Sequence, residues 1–270
     1  MRRFLLRHVL PAVLAVLALA PLALLVLGSL RRLGLPPPQG LELVPADPSL
    51  ESYRALPAVV PVWTYLRNSV IVAAIAVPLA VVVSSLAGFA IRVASSRAKR
   101  AAVVATVAML LVPVTAVWAT RFEVYRLAHV TDTLVPLIAP ALASPFLVLI
   151  YVWAFHRIPL AQLQVASLDG AGPWRMWWRV GLPQVRPATY AVAAIAFTFF
   201  WSDVIDPLLY VDSQSLQTLP LGLHFLKLLR PTDFPILLAG SVVATLPIVL
   251  VLLIAHRAFL SDRALPGGPG

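Results

Sequence analysis

The stretch NSVIVAAIAVPLAVVVSSLAGFAI, residues Asn68–Ile91, contains no charged side chain. A helix needs roughly 20 apolar residues to cross a bilayer core about 30 Å thick, and this run is long enough. Arg92 follows it directly, in the position where a basic side chain reaches the lipid headgroups. The stretch therefore predicts a helix that spans a membrane.

The composition of the whole chain agrees with that prediction. Of the 270 residues, 60% are hydrophobic and only 12% are charged, whereas soluble domains carry about 25% charged residues. The chain has no cysteine, which excludes disulfides, thiolate metal sites and cysteine nucleophiles. The net charge of +10 could indicate a nucleic-acid partner, but the basic residues flank apolar runs, so we expect none.

Five further apolar runs resemble the first in length. The six predicted spans lie near residues 9–30, 68–91, 101–120, 133–155, 187–210 and 234–255. The sequence thus predicts an all-α, polytopic membrane protein with six transmembrane helices in a single domain over residues 1–270. The length of the first run favours a retained anchor over a cleaved signal peptide. Prolines inside most runs favour bent helices around a cavity.

The basic residues indicate the orientation of these spans. Most of them fall on the side that holds both chain ends and the segments after the second and fourth spans. Short cytoplasmic segments carry the excess of lysine and arginine in membrane proteins. We therefore predict a multi-pass protein of the cytoplasmic (inner) membrane with both termini in the cytoplasm.

The longest predicted cytoplasmic segment lies between the fourth and fifth spans. It reads RIPLAQLQVASLDGAGPWRMWWRVGLPQVR over residues 157–186. Pro159–Leu168 suits an amphipathic helix, Gly170 and Gly172 break it, and Pro173 suits the first turn of a second helix that ends near Val180, before Pro183. Two short helices at a glycine bend predict a projection with a docking face. The alternative is an interfacial helix that lies on lipid headgroups.

This segment resembles the loop that marks permease subunits of ATP-binding-cassette (ABC) importers. In that family Glu-Ala-Ala is followed after three residues by glycine and, nine residues later, by Ile or Val, one residue and Leu-Pro. The matching positions are Ala166, Asp169, Gly170, Ala171, Val180, Leu182 and Pro183. The chain departs from the pattern at Gln164, where the family has glutamate, and at Val165, where it has alanine. The glutamine keeps a hydrogen-bonding group but no charge.

Other stretches resemble the carbohydrate, maltose-type subgroup of that family. These are Phe197–Pro207, Thr218–Gly222 and the ending Ala255–Gly270. The resemblance implies that the tail Leu265–Gly270 reaches an ATPase dimer, although a frayed terminus is an equal alternative.

The resemblance also implies a division of labour between subunits. A phosphate-binding loop needs lysine after glycine, but Lys99 follows alanine and Lys227 follows leucine. The chain is therefore expected to be no enzyme and to hold no cofactor, with ATP and Mg bound by a partner ATPase dimer. The family further implies a second homologous permease subunit, an extracytoplasmic solute-binding protein and a sugar-like substrate.

Candidates for the substrate pathway lie in the fifth predicted span. Asp203 is an ionisable group in a membrane segment, and such groups often mark a pathway. Phe200 and Trp201 could stack on sugar rings or pack between helices. Asp203 and Asp206 could instead be hydrated at the outer interface, or pair with Arg67 or Arg121.

Two other classes of membrane protein compete with this interpretation. A membrane enzyme would place reactive groups together inside the spans, whereas the five histidines lie at or outside the span ends. A secondary active transporter driven by an ion gradient would use Asp203 and Asp206 as its ion site. It would leave the spacing of the loop unexplained.

Overall fold

The computed structural model describes residues 10–35, 44–45, 47–230 and 233–264, and for residues 10, 229 and 260–264 it describes the backbone only. Within these ranges all regular structure is helical, which confirms the all-α prediction. The tail Leu265–Gly270, for which a contact with an ATPase was predicted, lies outside the described residues.

The helices are numbered here in chain order. They are α1 Leu10–Ser29, α2 Glu51–Val59, α3 Val62–Val93, α4 Ser96–Leu111, α5 Trp118–Leu127, α6 Val135–Ile138, α7 Pro145–His156, α8 Leu160–Leu168, α9 Pro173–Met176, α10 Leu182–Gln184, α11 Arg186–Trp201, α12 Ile205–Tyr210, α13 Leu219–Leu229 and α14 Phe234–Ala264. Short 3₁₀ segments lie at Val114–Val117, Ala139–Leu142 and Gln214–Leu216, and a π-helical segment lies at Trp177–Gly181.

Four helical stretches of the described residues are long and apolar enough to cross a membrane. They are Pro11–Ser29, Val62–Val93, Val135–His156 and Phe234–Phe259. These stretches coincide with the first, second, fourth and sixth predicted spans. A fifth span results if α4 and the segment Val114–Leu127 are counted together.

The third predicted span, residues 101–120, is not one straight helix. Helix α4 ends at Leu111, and the chain bends by 89° before the helical segment Val114–Leu127. Pro113 has no N–H to donate and disfavours the helical conformation of the residue before it. Val112 accordingly has an extended ψ of 117°, so the bend follows from a single proline.

The fifth predicted span, residues 187–210, whose apolar run Asp203 and Asp206 interrupt in the sequence, consists of two helices, α11 and α12. Helix α11 ends at Trp201 after 16 residues, which is fewer than the roughly 20 that a span needs. Beyond it, Asp203 Oδ1 accepts the N–H groups of Ile205 at 3.0 Å and Asp206 at 3.3 Å. Such local side-chain bonds compete with continued helix.

The described residues form two compact units. The first contains the described residues up to Leu66 together with Leu219–Pro247. Its buried apolar core consists of Leu56, Val62, Tyr65, Leu219, Leu223, Leu226 and Ile236. Gly222 lies against the Tyr65 ring so closely that a Cβ there would be 2.2 Å from two ring carbons. The glycine of the Thr218–Gly222 stretch therefore has a packing role.

The second unit contains Arg67–Thr218 and the described residues from Ile248 onward. In it α7 packs against α4 and α11. Its main core includes Phe89, Leu147, Tyr151, Phe155, Trp177 and Val192. The buried Asn68 amide donates to the carbonyls of Ser215 at 2.8 Å and Gln217 at 2.9 Å, so it ties α3 to the segment after α12.

Asp132 also binds the chain that follows α12. It has a φ of 55°, and its carboxylate accepts the N–H groups of Asp212 at 3.0 Å and Ser213 at 2.8 Å. The Ser213 hydroxyl donates to it as well. These bonds favour the charged form of the carboxylate, so they hold the pKa of Asp132 below its ordinary value of 3.8. The bond from the Ser213 hydroxyl has the largest effect.

Candidate functional site

The spacing between Ala166 and Gly170 in the loop of residues 157–186 is that of a helix C-cap. The Gly170 N–H donates to Ser167 O at 3.1 Å, and the Ala171 N–H donates to Ala166 O at 3.0 Å. This pair of bonds is the Schellman motif, which needs a left-handed residue after the cap. Gly170 supplies that residue with a φ of 75°. The glycine and the residues before it thus form one structural unit that ends α8.

The second half of the loop differs from its prediction in one respect. Pro173 begins α9 as expected, but the helical path continues past Pro183 to Gln184 instead of stopping before it. The Leu182 N–H donates to Trp177 O, five residues back. This wider π-helical turn replaces the regular ladder just where Pro183 has no N–H to contribute, so the proline is accommodated.

Two side chains anchor the loop to the core of the second unit. Leu163 and Trp177 are buried and belong to the cluster that contains Phe89 and Phe155. Gly181 lies against both rings, and a Cβ there would be 3.0 Å from Phe89 and 3.2 Å from Phe155. The loop is therefore packed against the helices along one face.

Several apolar side chains of the loop are exposed. Leu168 is 87% exposed, Trp174 is 66% exposed and Val165 is 57% exposed. Of the residues that match the family pattern, Asp169 and Gly170 are exposed, as is Gln164 at its altered position, whereas Ala166, Ala171, Val180, Leu182 and Pro183 are half-buried. An exposed apolar surface on a rigid support is typical of an interaction site.

The candidates for the substrate pathway do not all lie together. Phe200 and Asp203 line a groove of about 240 Å³, together with Phe199, Asp206 and residues of α7. Trp201 does not line this groove. It is 2% exposed and stacks on Phe197 with 5.2 Å between ring centroids. Phe200 and Asp203 thus lie at the groove, and Trp201 packs inside the unit.

Asp206 pairs with Arg121, one of the two arginines considered from the sequence. Arg121 Nη2 lies 2.8 Å from Asp206 Oδ2, and Nη1 lies 3.4 Å from Oδ1. The guanidinium also lies over the rings of Tyr210 and Tyr125, at 5.3 Å and 5.7 Å from their centroids. The contacts of Arg121 with the two tyrosine rings were not predicted from the sequence, although the spacing of four between Arg121 and Tyr125 places both on one helix face.

The charge at the groove follows from this pairing. Asp206 is neutralised by Arg121, whereas Asp203 makes no ion pair within the part of the chain that the structure describes. The groove thus presents one carboxylate beside Phe199 and Phe200. Among the same described residues, no three His, Cys, Asp or Glu side chains lie together so that they could hold a metal.

We expect Arg121→Gln to destabilise the chain by about 2–3 kcal/mol, because it leaves Asp206 without its counter-ion. Breaking a fully buried ion pair costs about 3–5 kcal/mol, and the expected loss is smaller because the Asp206 side chain is 12% exposed. Thermal unfolding in detergent measures this loss, and Arg121→Gln/Asp206→Asn should recover much of it. Arg126→Gln is the matched control on the same helix, because its pair with Glu123 is more than half exposed and exposed pairs contribute little to stability. Equal losses for Arg121→Gln and Arg126→Gln would contradict the prediction.

Comparison with known proteins identifies the class of this fold. No family model matches the chain. It is 26% identical over 266 residues to the arabinooligosaccharides transport system permease protein AraQ of Bacillus subtilis, covering 95% of this chain and 92% of that protein. It is 27% identical over 194 residues to the lactose transport system permease protein LacG of Rhizobium radiobacter, covering 72% and 71%.

A solved structure of a bacterial ABC transporter involved in the import of the acidic polysaccharide alginate contains a chain of the same fold. The TM-score is 0.76 over 94% of this chain and 95% of that chain, at 17% identity. The predicted resemblance to carbohydrate-type ABC permeases is confirmed.

Proposed function

We propose that this chain is the membrane-spanning permease subunit of an ABC importer that moves a sugar or oligosaccharide across the cytoplasmic membrane. The observation that carries the proposal is its similarity to transport-system permeases over 95% of its length, combined with the capped, rigidly supported loop. The chain does not hydrolyse ATP; a separate ATPase dimer binds ATP and Mg.

The loop of residues 157–186 is the part of the chain that contacts the ATPase. Its exposed Val165, Leu168 and Trp174 form the contact surface. When the ATPase moves the loop, the buried Leu163 and Trp177 transmit that movement to the helices against which they pack. Nucleotide shifts the equilibrium of the assembly only if it favours one arrangement of the docked loop over another. Gln164 forms a neutral hydrogen bond where the family has a carboxylate.

The chain crosses the membrane six times as one permease domain over residues 1–270, with both termini in the cytoplasm. On this topology the third and fifth spans are the interrupted ones, bent at Pro113 and broken between Trp201 and Ile205. Irregular backbone at membrane depth is tolerated where it lines a cavity. Both interruptions therefore lie next to the solute pathway.

The groove beside Phe200 and Asp203 forms part of that pathway. Sugars offer hydroxyl donors to a carboxylate and a face of C–H groups to an aromatic ring, and the groove provides both partners. Since the relatives are named for arabinooligosaccharide and lactose transport, a sugar is the substrate class. One chain forms half of the pore, so a second homologous permease and an extracytoplasmic binding protein complete the importer.

Reconstitution tests this function. The chain is purified with the ATPase, the second permease and the binding protein, placed in liposomes, and assayed for uptake of labelled oligosaccharides. We expect uptake that needs both ATP and loaded binding protein. Uptake by the chain alone under a proton or sodium gradient would overturn the proposal in favour of a secondary transporter.

We expect Asp203→Asn to reduce sugar uptake roughly tenfold or more, because a hydrogen bond to a charged group contributes about 1.5–3 kcal/mol. The asparagine oxygen can still accept the N–H groups of Ile205 and Asp206, so the helix break is kept. Uptake rates at several sugar concentrations measure the effect. Asp212→Asn is the control, since Asp212 is exposed and outside the groove. Unchanged uptake by Asp203→Asn would remove this residue from the pathway.

A further inference from the structure

A cluster of basic and aromatic side chains lies where α4 and α7 pack together, at the end of α7 that leads into the loop. Lys99 in the first turn of α4 lies 3.3 Å from His156 at the end of α7, measured from Nζ to Nδ1. Arg157 follows directly, and its guanidinium carbon lies 3.9 Å from the centroid of the Trp153 ring. We call Lys99, His156, Arg157 and Trp153 the basic cluster.

The cluster offers hydrogen-bond donors from three side chains. A lysine ammonium can only donate, so His156 Nδ1 accepts in this contact and Nε2 carries the proton. That Nε2–H, at the edge of the ring away from Nδ1, remains as a further donor. Arg157, held flat on Trp153, adds its guanidinium N–H groups. Two cations and a neutral donor thus come from two helices that are packed on each other.

The cluster has no acidic partner within the described part of the chain. The ion pairs found there involve other residues, and the first turn of α4 contains no acid. Lys99 and Arg157 thus carry two positive charges that no carboxylate of the described residues balances, and such charges attract an anion. The cluster therefore favours an anionic ligand.

The surroundings identify that ligand as a lipid. Trp153 is 59% exposed on the last turn of a stretch that is apolar enough to cross a membrane, which is where aromatic residues meet the headgroups. Basic pockets between transmembrane helices bind anionic headgroups. We propose that the basic cluster is a binding site for the phosphate of an anionic phospholipid, with Trp153 packed along its glycerol and upper acyl region.

Native mass spectrometry of the full chain in detergent tests this site, with phosphatidylglycerol and phosphatidylcholine as probes. The wild type should retain phosphatidylglycerol more tightly than phosphatidylcholine. Lys99→Gln/Arg157→Gln should weaken phosphatidylglycerol binding about thirtyfold and leave phosphatidylcholine unchanged, as expected for two basic residues at a membrane surface. The charge-preserving variant Lys99→Arg/Arg157→Lys should keep most of the affinity.

Arg54→Gln/Lys227→Gln is the matched control, because it removes the same charge from exposed residues of the first unit. Equal phosphatidylglycerol affinity in wild type and Lys99→Gln/Arg157→Gln, or an equal loss in the control, would overturn the proposal. So would displacement of the lipid by millimolar inorganic phosphate, which would indicate a free-phosphate site. Loss of ATPase co-purification in detergent with lipid affinity unchanged would reassign the cluster to a protein partner.

Discussion

ATP-driven uptake by the reconstituted importer is expected to fall at least tenfold on Gly170→Val, with the chain still folded. Gly170 has a φ of 75°, where a residue with a Cβ costs roughly 1–2 kcal/mol and a β-branched residue is a genuine outlier. Relief of that strain breaks the bonds to Ala166 O and Ser167 O and moves the end of α8. The initial rate of sugar uptake and the ATPase activity in liposomes measure the effect.

Gly172→Val is the matched control for this substitution. A Cβ at either glycine meets no atom within 4 Å, so neither variant creates a clash. Gly172 has a φ of −66° and a ψ of 164°, which valine adopts freely and which suits the residue before a proline. If both variants transport like the wild type, the left-handed cap is not needed for coupling. If both fail, the loop is sensitive to bulk and the conformational argument is wrong.

The second large effect is expected from Gly88→Ala, which should destabilise the chain by about 3 kcal/mol, at the upper end of what overpacking costs. A Cβ at Gly88 would lie 2.6 Å from Tyr151 Cβ, 3.0 Å from Tyr151 C and 3.1 Å from Val152 N. These atoms belong to the backbone of α7 or are fixed to it, so α3 and α7 must separate. Thermal unfolding in detergent and the yield of folded protein measure the loss.

The direction of this change is informative, because alanine in place of glycine ordinarily stabilises a helix by about 1 kcal/mol. Gly88→Ala/Tyr151→Ala should not be rescued, since alanine keeps the Cβ atom that clashes. Recovery in this double variant would show that the tyrosine ring, and not the helix backbone, limits the approach. A Gly88→Ala variant as stable as the wild type would contradict the close packing itself.

Much of the fold follows from local sequence. The apolar runs at Asn68–Ile91 and 234–255 predict α3 and α14 because hydrophobic length is a local property that lipid enforces. The boundaries of α8 follow from Pro159 and Gly170. These are local effects too, because a proline and a left-handed glycine each restrict the backbone at their own position. Asp203 and Asp206 interrupt the fifth apolar run in the sequence, but they do not show that α11 ends at Trp201, because a short polar insert also suits a continuous helix.

The candidate site is less predictable from sequence than the fold. Asp203 and Phe200 could be identified as unusual residues for a span, yet whether each faces the groove depends on helix rotation. Trp201 is an aromatic residue of the same span as Phe200, but its side chain is buried in the core beside Phe197. Adjacent residues on a helix point about 100° apart, so neighbouring candidates separate once packing sets the rotation.

The sequence by itself determined the membrane-spanning class, the helical content, the bend at Pro113 and the spacing of the loop, because each depends on a run length or on one backbone group. Only the tertiary structure decided which residues meet: Arg121 with Asp206, Gly88 with Tyr151, and Lys99 with His156. These contacts join residues that are 85, 63 and 57 positions apart. Side-chain pairing over such separations depends on how helices pack, and packing is a property of the whole folded unit.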